Sequence, residues 1–225
     1  MKRWWLVILA GLAGFCFNNW LFGLVLNHHL LFSRGAVSEL SALDQPHQLL
    51  FRSLDVVAGI LFVALAAVLA RTTPRRRGYK WLVYGTAALG IANVLDAFQP
   101  LACSETLNKS CVIPVQVSLS HLSIPTHGYS SIVIAICYLL LPLAGWAYAK
   151  GLKAKNFKFL SVALTVLATA YLLAAVLEYL ISGTFSDKAW GPTQEVQMLL
   201  LGIWFVLWAW NISLGKFNNA LKNNN

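Results

Sequence analysis

Six stretches of about twenty apolar residues divide this chain, and their length leaves little choice of fold. They run Trp4–Leu26, Leu49–Ala70, Trp81–Phe98, Tyr129–Ala149, Phe159–Ile181 and Val196–Leu214. A helix of that length matches the hydrocarbon thickness of a bilayer, where backbone polar groups have to be satisfied within the segment. Only 11% of the 225 residues are charged and 58% are hydrophobic, against roughly 25% charged in a soluble domain. The expected fold class is an all-α integral membrane protein, a six-transmembrane-helix bundle. It forms one domain over residues 1–217, with a polar, disordered tail over 218–225. The first stretch follows Met1-Lys2-Arg3 like a signal peptide, but it is too long for a signal core and no small-x-small cleavage site follows. It reads as an uncleaved anchor, with Asn18 and Asn19 inside it as sources of interhelical hydrogen bonds.

The basic residues set the expected orientation. Thirteen of the 17 lie before the first stretch, between the second and third, between the fourth and fifth, or after the sixth. By the positive-inside rule these segments and both termini are cytoplasmic. The net charge of +9 is thus a topology signal, and nucleic acid is not an expected partner; the lipid bilayer is.

All eight acidic residues and all five histidines then fall in the outer half of the molecule. The orientation was drawn from Lys and Arg alone, so this segregation is a separate observation. It assigns the polar chemistry to the outer face. Asp55, Asp96 and Glu178 sit inside apolar stretches near their outer ends, where ionisable groups are costly and point to function. Arg52 and Asp55 lie three apart on one helical face and can pair. They are either a structural ion pair or a ligand-binding carboxylate with a neighbour. Glu195 opens the last stretch, where an acid suits a helix N-terminus.

His121 and His127 flank Pro125, and Thr126 can cap the helix that begins there. Their spacing is not the i, i+4 of two ligands on one helix. Even so, Asp55, Asp96, His121, His127 and Glu178 could line one outward-facing pocket. The donor types suit a hydrolytic zinc centre, with His121, His127 and Asp55 as metal ligands and Asp55, Asp96, His127 and Glu178 as the catalytic set. The alternative for the same pocket is a small polar or cationic ligand held by the acids, or helix locking without catalysis. Ser38, Glu39, Asp44, His47 and Arg52 would form the rim. Cys103 and Cys111, on an oxidising face and without Cys-x-x-Cys spacing, are expected to form a disulfide.

The stretch S-E-L-S-A-x-x-x-P-x-x-x-x-F-R-x-x-D-x-x-x-G from Ser38 to Gly59, His127-Gly128 opening a helix, and Gly191-x-x-Gln194 before the last helix resemble the bacterial membrane family known as domain of unknown function 998. The arginine such a family would carry shortly after that last glycine is absent, and Glu195 stands in its place. The resemblance implies the membrane architecture and assigns no chemistry. A weaker similarity is to ceramidase and adiponectin-receptor-like membrane hydrolases, which hold zinc with Ser, Asp and His. The matching types here are Ser53, Asp55, His121 and His127, but those proteins have seven helices and a His-x-x-x-His that this chain lacks.

Overall fold

The apolar stretches become helices whose ends follow the first polar or turn residues beyond them. The computed structural model describes residues 4–32, 35–111, 117–119, 122–124, 126–150, 152, 154–182 and 191–217. Helices α1 (Trp4–Phe17), α2 (Trp20–Leu26) and α3 (His28–Phe32) precede a 3-10 turn at Val37–Ser41. Then come α4 (Gln48–Thr72), α5 (Tyr79–Phe98), the short antiparallel strands β1 (Val117–Leu119) and β2 (Leu122–Ile124), α6 (Thr126–Ala149), α7 (Lys155–Ser182) and α8 (Gly191–Ser213). Five helices, α4 to α8, are long and apolar enough to cross a membrane. The bent pair α1 and α2 counts as a sixth if it forms one broken span.

The first span was expected to be continuous. Instead it bends by 46° between α1 and α2. Neither Pro nor Gly causes this. Asn18 and Asn19 sit at the break, and their carbonyls accept from Leu21 and Phe22 in tight three-residue steps. Their side chains are buried and do bond between helices. Asn18 donates to the Met198 carbonyl of α8 at 3.2 Å, and Asn19 donates to α4.

Helix α1 packs on α4, each of α4 to α7 packs on the helix that follows it, and α1 also packs on α8, so the order α1–α4–α5–α6–α7–α8 closes into a ring. Glycines set two of the contacts. A Cβ on Gly59 would meet the Gly90 carbonyl at 2.5 Å, and one on Gly90 would meet the Gly59 carbonyl at 2.6 Å, so α4 and α5 touch backbone to backbone. Gly14 and Gly202 do the same for α1 and α8.

The middle of the ring is filled. Phe17 lies 5.5 Å from Phe62 and 6.3 Å from Tyr138, and Phe62 lies 4.9 Å from Phe205, ring centre to ring centre. Phe17, Phe62 and Phe205 are all fully buried. Apolar side chains such as Ile8, Leu49, Tyr84, Phe159, Leu173 and Leu180 are exposed on the outside of the ring, as lipid contact requires and water would not favour. Trp4 packs on Trp210 at 4.9 Å, so the chain enters and leaves the ring at one end. Cys16 and Cys137 are buried free thiols, behaving as packing residues.

Candidate functional site

Most of the described acids, with His127, gather at the opposite end, in two groups. The first is a knot of loops. Cys103 and Cys111 form the expected disulfide, with Cα atoms 5.7 Å apart. The loop it closes carries Ser104 and Thr106, which close over Glu39. That carboxylate is 3% exposed. Its Oε2 accepts from the Ser104 hydroxyl and from the Thr106 amide at 3.0 Å; its Oε1 accepts from the Thr106 hydroxyl at 2.8 Å and the Ala36 amide at 3.2 Å. Four donors saturate one carboxylate, which is how a buried acid avoids the cost of lost water.

The knot extends outward from Glu39. Asp44 Oδ1 accepts from the Ser104 amide and from Gln45, and Gln45 in turn accepts from Asn27. The Ser38 carbonyl accepts from the Ser41 hydroxyl. Gln194, at the start of α8, accepts from the Val37 amide at 3.0 Å. His47, just before α4, has φ of 61°, a left-handed conformation that His tolerates better than most residues. Glu39, expected at the rim of a pocket, is the buried centre of this knot.

The second group lies between helices. Arg52 and Asp55 do not pair. The longer arginine reaches across to α5 and donates from Nε to the Ala97 carbonyl at 2.8 Å, with Gln48 as a second acceptor. A cation is favoured there because the last carbonyls of a helix are unpaired and carry its negative end. Asp55 is left with one side-chain partner among the described residues, Asn19 of the broken span, whose amide donates to Oδ1 at 2.6 Å. Asn93 of α5 donates to the Asp55 backbone carbonyl at 2.8 Å.

One turn beyond Asn93, Asp96 Oδ1 accepts from the Ser130 hydroxyl at 2.5 Å and lies 3.1 Å from His127 Nδ1. The same Nδ1 is 3.2 Å from the Gln99 carbonyl. Both its neighbours are acceptors, so Nδ1 carries the proton. Asp96 and His127 are nearly buried, at 14% and 11% side-chain exposure. Asp55 and Asp96 are close enough for their charges to act on each other. Ser130 bonds the carboxylate, so the trio lacks the Ser–His–Asp order of a nucleophilic triad.

His121 lies outside the described residues. Glu178 is on α7, but its side chain is also outside them. The zinc set of His121, His127 and Asp55 is therefore only partly described. Among the described residues no three His, Cys, Asp or Glu side chains stand together as metal ligands. The Asp96–His127 pair was not foreseen as a bond, although both residues were singled out. Asn19 was read only as helix glue, yet it holds Asp55.

Among the described residues five helices, or six with the bent pair as one, are long and apolar enough to cross a membrane, which fits the class of multi-pass α-helical membrane proteins. Within that class, the chain belongs to the family described as protein of unknown function (DUF998), which matches residues 8–211. No curated protein and no solved structure matches it, so the similarity to ceramidase-like hydrolases gains no support.

Proposed function

We propose that this is a bacterial inner-membrane protein with six spans, α1 and α2 together forming the first, and with both termini cytoplasmic. In this reading the Asp55–Asp96–His127 group is a site open to the outer side that binds a small cationic or polar ligand. One observation carries it. Asp55 is a carboxylate inside a membrane-spanning helix whose nearest arginine is committed elsewhere. An acid at that depth without a cation is costly, and a cationic ligand is the partner that removes the cost. The aromatic plug of Phe17, Phe62, Tyr138 and Phe205 lies at the centre of the ring. It favours a one-sided site over a continuous channel.

The test is a melting screen of the purified protein against small organic cations such as polyamines and quaternary amines. At least one should raise the melting temperature of the wild type and leave D55N unmoved. If every cation treats the two proteins alike, the ligand reading fails.

One observation favours a second reading, metal-assisted hydrolysis or group transfer on lipid-like substrates at the outer leaflet. A carboxylate on Nδ1 is the arrangement that orients a metal-bound imidazole, leaving Nε2 to ligate. Asp96 would then position His127, with His121 and Glu178 as the further donors. Zinc that copurifies with the wild type and is lost from H127A would support this reading; metal-free protein with an intact fold would end it.

A further inference from the structure

The opposite end of the ring has a polar feature that the outer cluster does not use. Helix α4 ends at Thr72, and Thr73 closes it by donating its amide to the Leu69 carbonyl at 2.9 Å. The chain then turns through Arg75, Arg76 and Arg77. At Gly78 (φ 82°) it presses against α6, where a Cβ would collide with the Ala144 carbonyl and meet the Tyr148 amide nitrogen at 3.3 Å. The Tyr79 amide closes the turn on the Arg76 carbonyl at 3.0 Å. This brings Arg76 close enough to Tyr148 for its charge to act on the phenol oxygen.

Three atoms here are buried without a hydrogen-bond partner among the described residues: Thr73 Oγ1, Arg76 Nη1 and the Tyr148 hydroxyl. Thr73 is 6% exposed and Tyr148 1%. Buried polar atoms are rarely left unpaired, because each costs about 1–3 kcal/mol. All three can donate, and one belongs to a cation. Among the described residues no acid pairs with it, and no Asp or Glu occurs between Asp55 and Asp96, or between Glu105 and Glu178. Arg71, Arg75, Arg77 and Lys80 are exposed around the same turn and add to the positive field.

We propose that Thr73, Arg76 and Tyr148 form a binding site for a phosphate group at the basic end of the bundle. An anion with several strong acceptor oxygens would satisfy the three donors together, with Arg76 supplying charge-assisted bonds. The position, at the last turn of a membrane-spanning helix, is the level of lipid headgroups, where basic clusters meet anionic lipid. A free phosphate has the same oxygens, so the experiment separates the two sources.

The full-length protein in dodecyl maltoside would be melted with increasing phosphatidylglycerol, inorganic phosphate, or a neutral glycolipid with the same acyl chains. Phosphatidylglycerol should raise the melting temperature and the glycolipid should not. R76Q should raise the half-saturating concentration by at least about tenfold, as expected for losing a charged hydrogen bond. Y148F gives the sharper readout, since it removes only the unpartnered hydroxyl. Without lipid it should melt no lower than wild type, and with phosphatidylglycerol it should need about threefold more lipid for the same shift. If inorganic phosphate reproduces these shifts and their dependence on both variants, the site takes phosphate from solution and the shared chemistry stands. The proposal is overturned if the glycolipid stabilises equally, if neither phosphate source shifts melting, if R76Q and Y148F respond like wild type, or if Y148F alone is destabilised without lipid.

Discussion

Glu39 and Asp55 are both acids at the same end of the ring, and they are treated in opposite ways. Glu39 is in a loop, where water should have been cheap, yet it is buried and takes four donors. Asp55 is inside a spanning helix, where donors should matter most, yet among the described residues only Asn19 reaches its carboxylate. A saturated carboxylate holds structure together and has no valence left for a ligand. A carboxylate with one donor and no cation contributes little to stability and is available to bind.

The largest effect that could break this contrast is at Glu39. In E39Q one oxygen becomes an NH2 group. Whichever oxygen it replaces, it faces a backbone amide, Thr106 on one side or Ala36 on the other, and two donors then point at each other. A loss of about 3 kcal/mol is expected, visible as a fall in melting temperature of roughly 6–12 °C. Next is the disulfide that carries Ser104 and Thr106. Replacing Cys103 and Cys111 with Ser should cost about 2.5 kcal/mol from loop closure alone. It should also couple to E39Q, so that the double variant loses less than the two losses added. If the losses simply add, the disulfide and Glu39 do not serve one knot.

Arg52 comes third. R52M keeps the apolar stem and removes the bond to the Ala97 carbonyl, for an expected loss of about 1–2 kcal/mol by denaturation. The loss should be the same in a D55N background, because the two side chains do not pair. A loss that vanishes in that background would restore the ion pair and weaken the case for Asp55. The smallest loss belongs to D55N itself. Asparagine keeps an oxygen for Asn19 and removes a charge that has no cation, so D55N should lose no more than about 1 kcal/mol, and any larger change should be a gain.

These differences also mark what could be seen from residue order. The spans α4 to α8 were legible because bilayer thickness imposes a length that sequence displays directly. The disulfide followed from two cysteines placed on one face. The break in the first span was not legible, because Asn is polar but is not a helix breaker by itself, and the bend depends on side-chain partners in α4 and α8. The i, i+3 spacing of Arg52 and Asp55 showed that they could meet. It could not show that the α5 carbonyls offer the longer side chain a better partner. The burial of Glu39 depends on residues more than sixty positions away. Asp96 and His127 were each picked out by type and depth, but their bond depends on how α5 and α6 pack.

The most direct measurement of the central claim is a paired melt of E39Q and D55N, the same carboxylate-to-amide change at both acids, in one detergent and without added ligand. E39Q is expected to melt lower than wild type by more than about 6 °C and D55N no more than about 3 °C below it. If D55N falls as far as E39Q, Asp55 is a structural residue like Glu39, and the account of a site left open for a ligand is wrong.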